Sequence, residues 1–426
     1  MNYSKEINML IEKIMEDYII QSVIGDDFYK NTMGLFISHH GYNDIRTVWK
    51  FSNRTKNVAL SYYLDENKIQ DEYSHFRNLK LQTSEEDYLR SIPNFGNKPG
   101  IDAYIDILKS QTVPEVNVCL LDEQPDISWG GGPDWISQSR LEIPTLQIMI
   151  GLYYRQLLSR MSKTEREQIF KTGLKRLLED IALLKKNPMT KIVNFGNRRV
   201  LLPWLDFVMS ILVQEIPDQL LGCSSGLMAM KYGINVSGTI AHEPHMVFAA
   251  LAFDGTEESI KQSQIKLLTE WVDFYGTEGS VILPDTFGTH NMIKWLPAEL
   301  VARYKGARID SKDPMIGIPE IHNWFKNCGC DPFTKAAIPS DGISIQDAVM
   351  FQNTFGKDGL IINAPGTILG SNLDLPHLSI VGKVHSANRK YCVKLSDNIA
   401  KKMGVLSEEY AMALNYHENY NKTQIV

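Results

Sequence analysis

The feature that most constrains the fold of this chain is a regular alternation in its second half. Short β-rich runs alternate there with longer segments in which apolar residues recur at helical spacing. The β-rich runs are KIVNF (191–195), LLGCS (220–224), INVSGTI (234–240), GSVILP (279–284), GARID (306–310), AAIPSD (336–341) and GLIIN (359–363). Alternating strands and helices predict a parallel sheet covered by helices. The pattern therefore predicts an α/β fold with an irregular or incomplete α/β barrel.

The length of 426 residues exceeds that of one ordinary compact domain. We predict that residues 151–370 form the barrel domain and carry most of the active site. After Leu375 two strand-like runs surround a polar turn, which predicts a hairpin that does not continue the barrel. We expect it to return to the N-terminal region, so that residues 1–150 and 371–426 form a second, discontinuous α+β domain.

The composition excludes several classes of protein. The net charge of -6 is spread along the chain without a basic block, which argues against nucleic acid as a partner. No apolar run is long enough to span a bilayer, and the first residues lack the features of a signal peptide. The five cysteines have no regular spacing and predict free thiols. We therefore expect a cytoplasmic protein that does not bind membranes.

Polar residues follow nearly every predicted strand, at the end where the active sites of α/β barrels lie. Taken singly, each has an ordinary interpretation as a surface charge, a helix cap or a turn. Taken together, they favour a phosphate-bearing sugar as the substrate. The residues are Arg198, Arg199, Ser225, His242, Glu243, Asp285, Thr286, Asp310, Ser340, Asp341, Gly366 and Thr367.

The types of these groups indicate which parts of a substrate they suit. Backbone amides and hydroxyls in residues 222–225 and 365–367 suit phosphate oxygens. Asp285, Asp310 and Asp313 suit ribose hydroxyls or Mg²⁺, which prefers oxygen ligands.

Two arginines and two aromatic residues suit the remainder of such a substrate. Arg198 or Arg308 could pair with a carboxylate or a phosphate through the planar guanidinium. Phe195 and Tyr29 offer aromatic faces on which a flat heterocycle could stack.

The stretch VSGTIAHEPHMV (236–247) contains His242 and His245, with Glu243 beside the first. Three readings are open from the residues alone. The pair could bind a metal, one histidine could do covalent chemistry, or both could be ordinary histidines near the start of a helix.

Nine motifs, in order along the chain, resemble those of the nicotinate phosphoribosyltransferase family. The resemblance runs from about Gly25 to Asp397, nearly the whole chain. The motifs are GDDFYKNTMG (25–34), FSNR (51–54), FGNRR (195–199), GCSSGLMA (222–229), GTIAHE (238–243), LPDTFGT (283–289), RIDSKDP (308–314), SDGI (340–343) and VKLSD (393–397).

The resemblance implies an enzyme of NAD salvage that converts nicotinate and phosphoribosyl pyrophosphate into nicotinate mononucleotide and pyrophosphate. It implies Mg²⁺ as cofactor, ATP as co-substrate and coupling to ATP hydrolysis through a phosphohistidine. It also implies a homodimer with sites near the subunit interface. The family's phosphorylated histidine corresponds to His242, which leaves Glu243 as a candidate to orient the ring and His245 as structural.

The resemblance assigns the base site to four residues. Phe195 and Tyr29 would sandwich the pyridine ring, with Tyr29 reaching in from the partner subunit. Arg198 would lie near the base or its phosphates, and Arg308 near the nicotinate and the pyrophosphate.

The resemblance also assigns the sugar and phosphate contacts. Asp285 and Asp310 would hold the ribose or the Mg²⁺-pyrophosphate, and Gly366 and Thr367 would bind the 5′-phosphate. The chain departs from the family pattern at Cys223, and Lys312 replaces a glycine.

Three alternatives to a nicotinate phosphoribosyltransferase stay open. Nicotinamide phosphoribosyltransferase has an aspartate at the position of Ser224, so Ser224 favours nicotinate as the base. A catalytically idle homologue would act in binding or regulation. A metal-dependent hydrolase is suggested only by the spacing of His242 and His245.

Overall fold

Helices make up most of the regular structure of the chain. The structure is a computed structural model that describes residues 3–110, 112–340, 342–366, 369, 372–398, 401 and 408–414. Asp341 and Thr367, both singled out in the sequence, lie outside these ranges. The helices are α1 (Ser4–Glu16), α2 (Tyr29–His39), α3 (Glu66–Asn78), α4 (Thr83–Ser91), α5 (Ile101–Ser110), α6 (Trp135–Arg140), α7 (Glu142–Ser159), α8 (Lys163–Lys186), α9 (Leu202–Glu215), α10 (Gly226–Tyr232), α11 (His242–Ala252), α12 (Glu257–Tyr275), α13 (Thr289–Trp295), α14 (Ala298–Ala302), α15 (Pro314–Asn327), α16 (Ile345–Phe355) and α17 (Glu408–Ala413), with 3₁₀ turns at Leu60–Tyr63 and Pro284–Thr286.

The strands form one antiparallel sheet and two parallel groups. They are β1 (Thr47–Asn53), β2 (Val116–Cys119), β3 (Asp126–Gly130), β4 (Ile192–Asn194), β5 (Leu220–Cys223), β6 (Val281–Ile282), β7 (Gly306–Ile309), β8 (Ala336–Pro339), β9 (Ile380–Ala387) and β10 (Lys390–Tyr391).

The antiparallel sheet joins strands from both ends of the chain in the order β10-β9-β1-β3-β2. β1 lies at its centre, where Trp49 and Trp129 are both buried and their rings stack at 5.7 Å. The hairpin predicted after Leu375 is confirmed, because β9 and β10 pair antiparallel. The division into two domains at the predicted boundaries stays a prediction.

The parallel strands form a continuous arc. β6, β7 and β8 pair in parallel, and bridges at Ile361 and Asn363 continue the arc to β4 and β5. The arc ends at Val236, which bridges to Cys223. In the described residues no pairing joins Val236 to β6. The predicted parallel sheet covered by helices is therefore confirmed, with mixed helix and sheet in the chain as a whole.

The segment 234–240 is not the strand that its β-rich sequence predicts, since only Val236 bridges. A side chain at Gly238 would place its Cβ 2.4 Å from the backbone nitrogen of Tyr29. The segment therefore turns away from the arc to pack against the start of α2, and it delivers His242 to the first position of α11.

One predicted helix is divided in two. The spacing of apolar residues in the segment 292–304 predicts a single helix, but α13 ends at Trp295 and α14 begins after Pro297. Proline lacks a backbone N–H and interrupts a helix at this point. Over the described part of the chain, no helix is both long and apolar enough to cross a membrane.

Candidate active site

A cavity of about 370 Å³ opens between the carboxyl ends of the parallel arc and the antiparallel sheet. β1 and β9 supply one wall, and the residues that follow β4, β7 and β8 supply the other. Seven of the predicted site residues line this cavity. They are Tyr29, Phe195, Arg198, His242, Arg308, Asp310 and Gly366.

His242 is held in the wall by contacts to both ring nitrogens. Nδ1 lies 2.8 Å from Oγ1 of Thr286, and Nε2 lies 3.0 Å from Oδ2 of Asp310. Asp285 approaches Nε2 to 3.7 Å. Only 12% of the side chain is exposed, so its orientation is set by these contacts.

Lys394 is the residue of this cluster that the sequence analysis missed. Its Nζ lies 2.7 Å from Nε2 of His242, 3.2 Å from Asp285 and 3.4 Å from Asp310. The segment that carries it is attached to the 3₁₀ turn, because the amide of Leu395 donates to the carbonyl oxygen of Thr286. The motif VKLSD contains Lys394, so the signal lay within the resemblance.

The charges in this cluster keep the histidine neutral and the carboxylates ionised. Burial, reinforced by the charge of Lys394, lowers the pKa of His242 to about 3. Burial would raise the pKa of Asp310, but Arg308 and Lys394 outweigh it and hold the pKa well below its usual value. Burial would likewise raise the pKa of Asp285, but the charge of Lys394 opposes it and the pKa is lowered.

Basic side chains outnumber acidic ones in the described part of the cavity wall. The basic residues are Arg54, Arg198, Arg199, Arg308, Lys383, Lys394 and Lys401, against Glu142, Glu243 and Asp310. Burial, with Lys394 and Arg54 nearby, lowers the pKa of Lys383 well below its usual value. The wall therefore suits an anion with several negative charges.

Arg308 retains donor capacity toward the site. Its Nη2 donates to Oδ1 of Asp310 at 3.0 Å, while its buried Nε has no hydrogen-bond partner among the described residues. A buried donor without a partner is costly, so an anionic ligand would satisfy it.

A second cavity, of about 310 Å³, lies inside the parallel arc. Tyr29, Phe195, Arg198 and Arg308 line both cavities, so they separate the two spaces. The second cavity has mainly apolar walls from the strands, which suits a flat ring beside Phe195 and Tyr29.

Ser224 lines the second cavity and is already engaged. Its hydroxyl donates to Oδ1 of the buried Asp27 at 2.6 Å, and Nε of Arg198 lies 3.7 Å from the other oxygen of that carboxylate. Because a hydroxyl has one hydrogen, Ser224 cannot also donate to a substrate carboxylate. The contact of Ser224 with Asp27 therefore does not itself support the prediction of an acid over an amide.

Tyr29 reaches the cavity from the same chain. Its hydroxyl lies 3.2 Å from Oε2 of Glu142, and the residue lines the same wall as Phe195. The family resemblance instead implies that Tyr29 reaches the base site from a partner subunit. A second copy is not needed to bring Tyr29 and Phe195 together.

The residues predicted to contact phosphate do not all lie where a phosphate could reach them. The amides of Cys223 and Ser224 donate to backbone carbonyl oxygens, and the Ser225 hydroxyl caps α10. The amides of Cys223 and Ser224 are therefore not free to donate to phosphate oxygens. Gly366 does line the cavity, whereas Thr367 lies outside the described residues.

Asp313 and Lys312 also lie apart from the cavity wall. Asp313 accepts from the amide of Met315 and caps α15, so its predicted ribose or Mg²⁺ role has no support. Lys312, which replaces the family's glycine, pairs with Glu320 at 2.7 Å. The departure is accommodated by this ion pair.

Glu243 does not orient the imidazole of His242. Its carboxylate instead contacts Lys30 at 2.7 Å, Trp135 Nε1 at 2.6 Å and Ser139 at 2.8 Å. Thr286, Lys394 and Asp310 hold the ring, because the first turn of α11 directs neighbouring side chains to different sides.

His245 is fully buried, and its Nδ1 lies 2.6 Å from Oε1 of Gln264. The two histidines of the motif therefore face different partners and do not share a metal site. This placement agrees with the structural role expected for His245.

His242, Asp285 and Asp310 form a set of donors that could hold a metal ion. One ligand atom of each lies within 4.8 Å of the others, and Oδ1 of Asp285 is buried with no hydrogen-bond partner among the residues described. Two carboxylates suit Mg²⁺, which usually completes its shell with substrate phosphates and water. The residues fit the ion, although Lys394 neutralises the same carboxylates in this structure.

The same fold occurs in solved structures of nicotinate phosphoribosyltransferases. A Saccharomyces cerevisiae structure is 23% identical with a TM-score of 0.80, covering 94% of this chain and 100% of its own. A Porphyromonas gingivalis structure is 24% identical with a TM-score of 0.78, covering 93% and 99%. A Vibrio cholerae structure is 23% identical with a TM-score of 0.81, covering 95% of both chains.

Family models match the sequence directly. The model of the nicotinate phosphoribosyltransferase (NAPRTase) family matches residues 190–424, more than half of the chain. The model of the NAPRTase N-terminal domain matches residues 24–149. The resemblance seen in the nine motifs is thus confirmed, and the chain belongs to the nicotinate phosphoribosyltransferase family.

Proposed function

We propose that this protein transfers the phosphoribosyl group of phosphoribosyl pyrophosphate to nicotinate, and that it couples the transfer to ATP hydrolysis through phosphorylation of His242. Membership of the family supports the transferase reaction and its place in NAD salvage. The observation that carries the coupling is the neutral His242, whose Nε2 points at Lys394 on the wall of a basic cavity.

Nε2 is the atom we assign as phosphate acceptor. Nδ1 is engaged by Thr286, and an Nδ1–H that donates to this hydroxyl leaves the lone pair on Nε2. The ammonium of Lys394 at 2.7 Å is nearer to Nε2 than the carboxylate of Asp310 at 3.0 Å, and it favours this tautomer because a hydrogen on Nε2 would point at a cation. A neutral imidazole is the nucleophilic form.

The phosphorylation step is a direct transfer. Nε2 forms a bond to the γ-phosphorus of ATP as the bond from that phosphorus to the bridging oxygen of ADP breaks. Lys394 lies where it can balance the added negative charge, and Thr286 stabilises the ring through Nδ1. Water later cleaves the N–P bond and regenerates His242 with release of phosphate.

The transfer step requires positioning and charge stabilisation. The pyridine nitrogen forms a bond to the anomeric carbon as the carbon–oxygen bond to pyrophosphate breaks. Phe195 and Tyr29 offer faces for the ring, and the basic wall stabilises the leaving pyrophosphate. When bound, Mg²⁺ would neutralise phosphate charge. Asp285 and Asp310 are the residues that would hold it.

The choice of nicotinate over nicotinamide is supported by the arginines. The buried Nε of Arg308 has no hydrogen-bond partner within the residues that the structure describes and would donate to a carboxylate. Asp27, the carboxylate of the second cavity, is engaged by Ser224 and faces Arg198. It is therefore less available to accept from a carboxamide.

Several features of the organisation are proposals of the same kind. The parallel arc would be an incomplete α/β barrel, and the antiparallel sheet would belong to a second domain formed by residues 1–150 and 371–426. A homodimer in the cytoplasm follows from the family resemblance. Light scattering on purified protein tests the dimer.

The experiment that tests the function supplies phosphoribosyl pyrophosphate with nicotinate or nicotinamide, with and without ATP, and identifies the mononucleotide formed. We expect nicotinate mononucleotide, formed with consumption of ATP. Nicotinamide mononucleotide as the main product would favour the alternative transferase. Absence of either product from folded protein would favour a catalytically idle homologue.

A further inference from the structure

Lys30 is a fully buried lysine next to Tyr29 in α2. Its ammonium lies 2.7 Å from Oε2 of Glu142, 2.7 Å from Oε2 of Glu243 and 3.0 Å from Oγ of Ser139. The side chains come from α2, α6, α7 and α11. One cation therefore joins four helices beneath the cavity.

Each glutamate of this cluster is adjacent to a residue of the site. Glu243 follows His242 in α11, and its second oxygen accepts from Trp135 at 2.6 Å. Glu142 accepts from the hydroxyl of Tyr29 at 3.2 Å. His242, through its neighbour Glu243, and Tyr29, through Glu142, are thus linked to the same ammonium.

We propose that Lys30 is a positioning residue that holds His242 and Tyr29 at a fixed separation through Glu243 and Glu142. The role of this spacing in catalysis rests on the proposed function. Lys30 would keep the phosphate-accepting histidine and the base site in one arrangement, so that phosphorylation affects the binding of the base.

Two buried carboxylates share one cation in this cluster. Without Lys30, the contact that joins them is lost and they also repel each other, because neither has a second basic partner of comparable contact in the described part of the chain. They would separate or take up a proton, and the first turn of α11 would move relative to Tyr29. A displacement of about 1 Å in a site can lower a rate by about a hundredfold.

The test compares Lys30→Met with Arg155→Met in the full-length protein. Arg155 pairs with the buried Glu72 at 3.2 Å and does not line the cavity, so it controls for loss of a partly buried cation that pairs with a buried carboxylate. Hydroxyl-radical footprinting, read by mass spectrometry, reports the exposure of His242 and Tyr29 without any substrate. We expect a several-fold rise at both residues in Lys30→Met and no rise at either in Arg155→Met.

A double variant distinguishes an effect on the positions of His242 and Tyr29 from an effect on the stability of the fold. Lys30→Met/Glu243→Gln removes one of the two unpaired carboxylates and with it their mutual repulsion, so stability should partly recover relative to Lys30→Met. Exposure of His242 and Tyr29 should stay raised, because the bridge is still absent. Recovery of both exposure and stability would overturn the proposal and leave Lys30 with a stabilising role only. Unchanged exposure in Lys30→Met would overturn it as well.

The effect of ATP on the KM for nicotinate tests whether Lys30 acts in the reaction. If wild-type protein responds to ATP, the factor by which ATP changes the KM for nicotinate should fall toward one in Lys30→Met, while Arg155→Met retains it. An unchanged factor in Lys30→Met would contradict the proposal. A wild-type protein that forms no mononucleotide would instead defeat the proposed function, and the footprinting would still decide the role of Lys30.

Discussion

Lys394 places its ammonium 2.7 Å from Nε2 of His242, although the two residues are 152 positions apart in the chain. The same ammonium lies within 3.4 Å of Asp285 and Asp310. A lysine from the C-terminal part of the chain thus determines the charge around a histidine at the end of the parallel arc. Burial lowers the pKa of the imidazole, and the charge of Lys394 lowers it further. In the proposed mechanism the same ammonium faces the phosphoryl group.

Lys394→Met should slow phosphorylation of His242 by about a hundredfold, the scale on which loss of one charge-stabilising donor acts. The measurement is the initial rate of labelling from ATP carrying a radioactive γ-phosphate. Lys335→Met is a matched control, because Lys335 is also buried but donates to the carbonyl oxygens of Ala302 and Tyr304. Equal rates in wild-type and Lys394→Met protein would remove Lys394 from the mechanism.

His245 should make the fold less stable in acid. Burial lowers its pKa to about 4, against an ordinary value of 6.5. Between these values the unfolded chain binds a proton that the folded chain does not. The free energy of unfolding should therefore fall by about 1.4 kcal/mol per pH unit as the pH is lowered through this window.

The measurement for His245 is urea unfolding at several values between pH 7 and pH 4. His245→Asn should show a shallower dependence than the wild type, since the contribution of His242 is common to both proteins. Parallel curves for the two proteins would show that His245 is protonated in the folded state or accessible to water.

Phe195→Ala should weaken nicotinate binding while the protein stays folded. Phe195 lines both cavities and is only half-buried, so it does not belong to the core. Stacking on a flat base contributes about 1 kcal/mol beyond area burial, which predicts a rise in KM of about fivefold and a fall in kcat/KM. Unfolding without a specific kinetic defect would instead assign Phe195 to the core.

Arg308→Met should reduce discrimination between the acid and the amide. The wild type should favour nicotinate over nicotinamide by roughly a hundredfold in kcat/KM, because loss of a buried charge-assisted pair costs several kcal/mol. The variant should lose most of this ratio, measured with both bases under identical conditions. A ratio that survives the substitution would place the carboxylate elsewhere, with Arg198 as the next residue to test.

The predictable part of the fold depended on local periodicity. β4, β5, β7 and β8 and the helices between them follow from the alternation, because the spacing of apolar residues is a local property. The prediction of a strand over 234–240 was wrong because of a contact with a distant part of the chain. Its residues favour a strand, but the contact of Gly238 with the backbone of Tyr29 takes the segment away from the arc.

The sequence predicted which residues form the candidate site better than it predicted the contacts between them. Motifs identified His242, Asp285 and Asp310, and these do lie together. Glu243 was expected at His242 because the two are adjacent in sequence, whereas helix geometry directs its carboxylate to Lys30. The partners of His242 come from distant segments, and spacing along the chain does not reveal such contacts.

The central claim is that ATP phosphorylates His242, and the most direct measurement is the site of label after incubation with ATP. Intact protein should carry an acid-labile, alkali-stable phosphoryl group on the peptide that contains His242. The label should be absent from His242→Ala and present in His245→Ala, which keeps the acceptor. Some ATP-independent transfer to nicotinate should survive in His242→Ala. Label that persists in His242→Ala, or that survives acid, would contradict the account.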